Sequence, residues 1–446
     1  MNCCNNPVSR SLYLFKQRLD PQQYFLCILL FFMIPLLFAQ ATPPDQPDFE
    51  KQTIPDFYPD LEKMYAQMDS LAQQYPDLLQ KVQIGISSTK AQPIFAMKLS
   101  DQVEKTEDEP AILLSGLHHA REPVGALFCL HFIQEMSSNY QKVDAVHKLV
   151  DNFTIWIVPV VNPDGYEYMF EHGRTFPWWR KNMRNYYARQ IKKGLGVDLN
   201  RNYNYNWIHG GGDTPESWYY RGDSPASEAE VQAMQQLALR ENVIAGATFH
   251  SYGELVLFPW GNYYSSPDQE LMFTLATGIA QFMQKEHYFD TYDIGMLDGL
   301  AGQSSNWMHG RLRAADFTIE LGTEYFPDQE TVNKVLHQTM KSIMFFLDKV
   351  LQTGLRGHVV DYHTRKPVSA QILVDGFEAK YMRERVSEKR FGRFERLLPP
   401  GKYNLTILAE GYSPQIMPEI EIQKDKVTEL TVFLMHDDST RVELTH

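Results

Sequence analysis

Ala111-Ile-Leu-Leu-Ser-Gly-Leu-His-His-Ala-Arg-Glu122 is the stretch whose reading decides the fold. Ala111 to Leu114 is apolar throughout and predicts a buried strand, Ser115-Gly116 a turn, and His118, His119, Arg121 and Glu122 then arrive together. Pro123 and the apolar run Val124 to Ile133 predict a buried helix, which puts the polar cluster at a strand-to-helix junction. In open α/β sheets ligands bind at such junctions, beyond the carboxyl ends of the strands. His119 and Glu122 are three residues apart, so an imidazole nitrogen and a carboxylate oxygen can face one point. Both are zinc donors, at about 2.0–2.2 Å. A charge pair opening a surface helix has the same pattern, so the rest of the chain has to decide.

Three later apolar runs repeat the design. Phe153 to Val161 ends at Asn162-Pro-Asp-Gly165, Val243 to Phe249 ends at His250-Ser-Tyr252, and Ala315 to Ile319 ends at Glu320. Helical patterns lie between them, one opening at Ser227, where Ser-x-x-Glu230 reads as a capping box. Strands too continuously apolar to be half-exposed, alternating with helices, imply an α/β domain whose mixed, mostly parallel sheet is covered on both faces. Upstream, Leu61, Met64, Met68 and Leu71 predict a helix, and Val82–Ile86 with Ile94–Leu99 a hairpin. The helical face Val335, Thr339, Ile343, Phe346 and Val350 closes this domain. After Gly354 short alternating segments and turn signals predict a small antiparallel β-sandwich.

A hydrolytic zinc wants three protein ligands and an open position. Among the other histidines, His250 directly follows a buried strand run, whereas His131, His147 and His337 lie in helical patterns. His119, Glu122 and His250 are therefore the candidate ligands.

The chain has 446 residues, 43% hydrophobic and 22% charged, enough for a full core and two domains. Tyr24 to Phe38 is apolar, follows Arg10, Lys16 and Arg18, and ends at Ala39-Gln40-Ala41. That order describes a cleaved signal peptide over residues 1–41, with an uncleaved anchor as the alternative. A secreted, periplasmic or extracellular monomer with no membrane span after cleavage is expected. Cys3, Cys4 and Cys27 leave with the leader, so Cys129 remains as a buried helix residue without a disulfide. A net charge of −13, with no basic run, excludes nucleic acid and anionic lipid as partners. The expected boundaries are a Pro-rich linker 42–54, a catalytic domain 55–353, the sandwich 354–437 and a tail 438–446.

The ordered motifs Gly116 to Glu122, Asn162-Pro-Asp-Gly-Tyr166, Trp179-Arg-Lys181, Val197-Asp-Leu-Asn-Arg-Asn202, Tyr220-Arg-Gly with Ser227 to Glu230, His250-Ser-Tyr252 and Phe317 to Leu321 resemble the zinc metallocarboxypeptidases of the carboxypeptidase A and B type. The resemblance covers roughly Tyr58 to Leu351, and the C-terminal segment resembles the transthyretin-like domain of that family's regulatory branch. It implies one Zn2+ on His119, Glu122 and His250, with Glu320 as the base that takes a proton from zinc-bound water. It further implies that Arg180 holds the oxyanion, that Asn200 and Arg201 grip the substrate's terminal carboxylate, and that Arg121 contacts the far side of the scissile bond. His118 matches no catalytic role. The family's closing tyrosine falls at or near Asp298, with Tyr292 the nearest tyrosine upstream; an Asp there could receive a substrate amine or basic side chain. Ser305 falls where basic-specific members place an aspartate, and Gly261 near a second acidic position, so a neutral, apolar or aromatic terminal residue is expected. The implied activity is removal of the last residue from peptide or protein C-termini. Cleavage of another amide, such as a cell-wall peptide, and a catalytically silent peptide-binding relative are the alternatives.

Overall fold

The computed structural model describes residues 53–174, 177–185, 195–260, 265–297 and 301–437. The expected leader and tail, most of the linker, Gly261 and Asp298 lie outside the described residues. In chain order the elements begin with α1 (Leu61–Gln74), β1 (Leu79–Ile86), β2 (Pro93–Leu99), β3 (Ala111–Gly116), α2 (Pro123–Asn139), α3 (Asp144–Val150), β4 (Thr154–Val158) and α4 (Pro163–Arg174). There follow α5 (Ala229–Arg240), β5 (Ala245–His250), β6 (Leu255–Phe258), α6 (Gln269–Ala280), β7 (Asp293–Met296), α7 (Ser304–Leu312), β8 (Ala315–Glu320) and α8 (Gln329–Leu351).

The strands form one eight-stranded sheet in the order β1-β2-β4-β3-β5-β8-β6-β7. Its centre, β4-β3-β5-β8, is parallel, and antiparallel β2 and β6 flank it. Side chains alternate across a strand, and both faces are covered. Ile112, Leu114, Ala247, Phe249, Phe317 and Ile319 join one core under α1, α2, α6 and α8. Leu113, Trp156 and Val158 join a second core with Val231 and Met234 of α5 and Trp307 and Met308 of α7. Cys129 is buried in α2 and free, as its apolar surroundings in sequence predict. Among the described residues no helix is long and apolar enough to cross a membrane.

Two local expectations change. Ser115 and Gly116 belong to β3, because they pair with Thr248 and Phe249 of β5, and the turn falls instead at Leu117, where φ is +53°. The capping box at Ser227 does not form: α5 starts at Ala229 and Glu228 makes no side-chain cap. Ser227 donates to Glu228 at 2.7 Å, and Glu230 accepts from the Ser88 N–H at 3.0 Å. A tertiary partner thus outcompetes the local one.

Beyond α8 lie β9 (Leu355–Asp361), β10 (Gln371–Val374), β11 (Arg385–Val386), β12 (Arg393–Arg396), β13 (Gly401–Leu408), β14 (Gln415–Ile422) and β15 (Thr428–Leu434). They form two sheets, β11-β10-β13-β14 and β12-β9-β15, which share one apolar core. The region is not wholly antiparallel as expected, because β15 runs parallel to β9.

Buried charges stitch this β-rich region to the larger sheet. Arg385, 2% exposed, donates to the carbonyls of Val243 and Leu312, both at 2.9 Å. Asp268 accepts from Arg396 at 2.7 Å and from Arg313 at 3.1 Å. Burial alone would raise the Asp268 carboxyl, but Arg396, His309 and Arg313 hold it below its ordinary value. Replacing Asp268 by Ala takes the carboxylate from buried Arg396, while Arg313 keeps Glu384 at 2.8 Å, and is expected to cost about 3–5 kcal/mol. A urea titration following both tryptophan fluorescence and far-UV circular dichroism measures the loss.

Candidate metal centre and substrate groove

The close approach of α2 to β3 and β5 is possible because Gly116 and Gly125 lack side chains. A Cβ at Gly125 would lie 2.5 Å from the Phe249 carbonyl oxygen, and one at Gly116 2.7 Å from the Gly125 backbone. That approach carries Glu122, the residue before helix α2, to the tip of β5. Glu122 makes no helix-capping bond with its side chain. Its carboxylate lies 2.9 and 3.0 Å from His119 Nδ1 and 2.8 Å from His250 Nδ1, and the two Nδ1 atoms are 3.1 Å apart. All three residues are buried, and their donor atoms lie within 4.8 Å of one another.

The outer partners of the rings decide which nitrogen faces inward. His119 Nε2 is 3.0 Å from Asp198 Oδ1. Burial would raise the Asp198 carboxyl, but Arg180 and His119 hold it well below its ordinary value, so it accepts and Nε2 carries the hydrogen. His250 Nε2 has the Thr248 hydroxyl at 3.3 Å and the Asn200 amide at 3.2 Å. The Asn200 atom there is Nδ2, a donor, and the Thr248 hydroxyl can accept, so a cation held with Glu122 would turn the His250 Nδ1 lone pair inward and its Nε2 hydrogen toward Thr248. Two imidazoles with one carboxylate converging on one point are a donor set that suits zinc. The residues present therefore fit the metal. His118 stays outside the set: its ring nitrogens meet Tyr203 Oη at 2.8 Å and Thr248 Oγ1 at 3.1 Å.

Glu320 ends β8 directly opposite His250 of β5. Burial, and then the negative charge of Glu122, push its carboxyl up to about 8, while Arg180 and Arg201 pull the other way. Arg180 is held by Asp198 through Nε at 3.0 Å and Nη2 at 2.9 Å, with Nη1 3.4 Å from Glu122. Asn200 and Arg201 lie on a 3-10 turn, Leu199–Arg201, which Asp198 caps by accepting from the Asn200 N–H at 3.0 Å. Asn200 Oδ1 accepts from the Ser304 N–H at 2.9 Å, and Arg201 Nε has no partner among the described residues. Arg121, less buried, lies over the Tyr325 ring at 4.6 Å and donates to the Trp178 carbonyl at 3.4 Å. Ser305 is fully buried on α7, its hydroxyl 3.0 Å from that of Thr318.

The structure thus brings together eight of the ten residues singled out in the sequence; Ser305 is buried on α7 against Thr318, and Asp298 lies outside the described residues. Tyr292 is buried and its hydroxyl accepts from the Gly322 N–H at 2.9 Å, which engages it behind the tip of β8. Two contributors were missed. Asp198 sits inside the motif Val197 to Asn202, and an acid flanking Asn200 and Arg201 was the available signal. Tyr219, 52% exposed, lays its ring 5.1 Å from Arg180 and 5.7 Å from Arg201, and nothing local in sequence marks it.

The profile of the zinc carboxypeptidase family matches residues 64–342, and the chain belongs to that family. Human mast cell carboxypeptidase A is 28% identical over 307 residues, 66% of this chain and 71% of that protein. Carboxypeptidase B of Astacus astacus is 32% identical over 274 residues, 59% of this chain and 86% of that protein. Among solved structures, bovine thrombin-activatable fibrinolysis inhibitor in complex with tick carboxypeptidase inhibitor is 27% identical and covers 66% of this chain and 97% of its own, with a TM-score of 0.56. The family match ends within α8, before the β-rich region.

Proposed function

We propose that this chain is an exported zinc-dependent carboxypeptidase that hydrolyses the last peptide bond of peptides or proteins with a free C-terminus. The observation that carries this reading is the convergence of His119, Glu122 and His250 at one point, with Glu320 on the adjoining strand tip. A zinc ion held by those three residues would lower the pKa of water and polarise the scissile carbonyl. Glu320 takes a proton from the attacking water and delivers it to the leaving amine nitrogen. Arg180, aimed by Asp198, donates to the carbonyl oxygen as that atom gains charge. Arg201 and Asn200 bind the terminal carboxylate, for which the planar guanidinium fork is suited. Arg121 contacts the chain on the other side of the cleaved bond. Residues 1–41 serve as the export signal, and the β-rich region is a transthyretin-like domain that braces the catalytic one.

The test is incubation with paired peptides, C-terminally free and amidated, with and without a chelator, read by mass. Loss of one residue from the free peptide alone, stopped by chelation, supports the proposal, and equal cleavage of both peptides rejects it. The ring of Tyr219 over two substrate-binding guanidinium groups adds a further expectation. A cation–π contact contributes about 0.5–2 kcal/mol, so Tyr219→Ala should lower kcat/KM by about 2- to 30-fold, as steady-state kinetics will report.

A further inference from the structure

Lys181 follows Arg180 in the chain and is 0% exposed. An ammonium group carries three N–H donors and no acceptor, and burying it is costly unless those donors are bonded. The backbone here is fastened first. The Lys181 carbonyl accepts from the Asn162 side-chain amide at 3.1 Å, and the Arg180 carbonyl accepts from the Ala120 N–H at 3.1 Å, which ties the stretch to the connections that follow β4 and β3. From that anchor the two side chains take different partners. Arg180 is held by Asp198, whereas Lys181 Nζ donates to the carbonyls of Pro215 and Ser217 at 2.8 and 2.9 Å.

Pro215 and Ser217 belong to a loop, residues 212–221, whose base is closed by its own backbone. The Gly212 N–H donates to the Tyr219 carbonyl at 2.7 Å, and the Arg221 N–H to the Gly212 carbonyl at 3.0 Å. At its tip Thr214, Pro215 and Glu216 are exposed. Tyr219, whose ring stands against Arg180 and Arg201, is itself 52% exposed. Little packing holds that ring, so the backbone beneath it has to. The Tyr219 N–H donates to Ser217 Oγ at 3.2 Å, and the Ser217 carbonyl is the one that Lys181 grips. Arg180-Lys181 therefore carries, in two consecutive residues, a guanidinium of the site and the tether for the ring that faces it.

We propose that Lys181 is a positioning residue: by holding the Pro215 and Ser217 carbonyls it places the Tyr219 ring over Arg180 and Arg201, and so contributes to cleavage without touching the substrate. This rests on the carboxypeptidase reading above. Removing the ammonium frees two carbonyls on a loop whose tip already meets water. They can turn outward, so the loop loosens while the sheet stays folded.

The experiment compares the full-length zinc-loaded protein with Lys181→Met, a side chain of similar length without donors. Hydrogen exchange read by mass spectrometry should quicken in residues 212–221 by about tenfold or more, the scale of a hydrogen bond to a charged group. Residues 111–122 should keep the parent rate, a split that general damage to the fold would not give. On a peptide with a free C-terminus kcat/KM should fall by about 2- to 30-fold, the worth of the ring contact. In a Tyr219→Ala background the same substitution should change it by less than about twofold, because its route is already cut. Equal losses in the two backgrounds overturn the inference. If Lys181→Met does not fold, the wild type decides: protection of residues 212–221 by about tenfold or more supports the tether, and exchange as fast as in an unstructured peptide overturns it. A wild type that trims no peptide sinks the carboxypeptidase reading and leaves the exchange result, which needs no activity, to judge the tether by itself.

Discussion

Glu320→Gln is expected to lower kcat by about 10²- to 10⁴-fold while KM stays close to the parent value, the range for loss of a positioned general base. Glutamine keeps the shape of the side chain and cannot take the proton. The substitution should not damage the fold. Glu320 is pushed up to about 8 by burial and by Glu122, so above the ordinary carboxylate range its ionised form weakens the metal-free folded state. A neutral amide removes that penalty, and the melting temperature of the metal-free variant should equal or exceed that of the parent at pH 8. Steady-state kinetics beside differential scanning calorimetry separates the two effects. A variant that is both inactive and unstable would instead place Glu320 among the structural residues.

His250→Ala is expected to cost more than about 100-fold in zinc affinity, since loss of an outer partner alone costs about 10- to 100-fold and this change removes a direct donor. Dialysed protein assayed by inductively coupled plasma mass spectrometry should hold well under one zinc per chain, and peptide trimming should fall with it. His119 and Glu122 would remain 2.9 Å apart, but two donors do not make a closed site. Full zinc content in the variant would remove His250 from the ligand set and leave the third ligand to be found elsewhere.

The parts of this molecule legible in sequence share one physical cause. Strands buried on both faces must be apolar along their whole length, so β3, β4, β5 and β8 stand out, and the polar residue that ends such a run, His250 or Glu320, stands out with them. His119 and Glu122 follow the end of β3, and His250 and Glu320 end β5 and β8, whereas Asn200 and Arg201 lie on a 3-10 turn and Ser305 on α7. β6 and the edge strand β7 carry no such signature: Leu255–Phe258 is short and only alternately buried, and Asp293–Met296 has no buried residue. The parallel pairing of β9 with β15 joins segments some seventy residues apart, and no local pattern encodes it. Glu230 left its expected helix cap for Ser88, a partner 142 positions away. Asp198 was passed over for a related reason, since its meaning lies in contacts to His119 and Arg180 that only the folded chain creates.

One nine-residue helix, α7, is pinned at both ends, a span of about 13 Å. At its start the Ser304 N–H engages Asn200 and the Ser305 hydroxyl meets that of Thr318. At its finish the Leu312 carbonyl is clasped by Arg385 from the accessory sheet. Through α7 the accessory sheet is thereby tied to Asn200, the residue proposed to hold the substrate's terminal carboxylate. Grafting either half onto a distant cousin would have to carry Arg385 and the last turn of α7 across together.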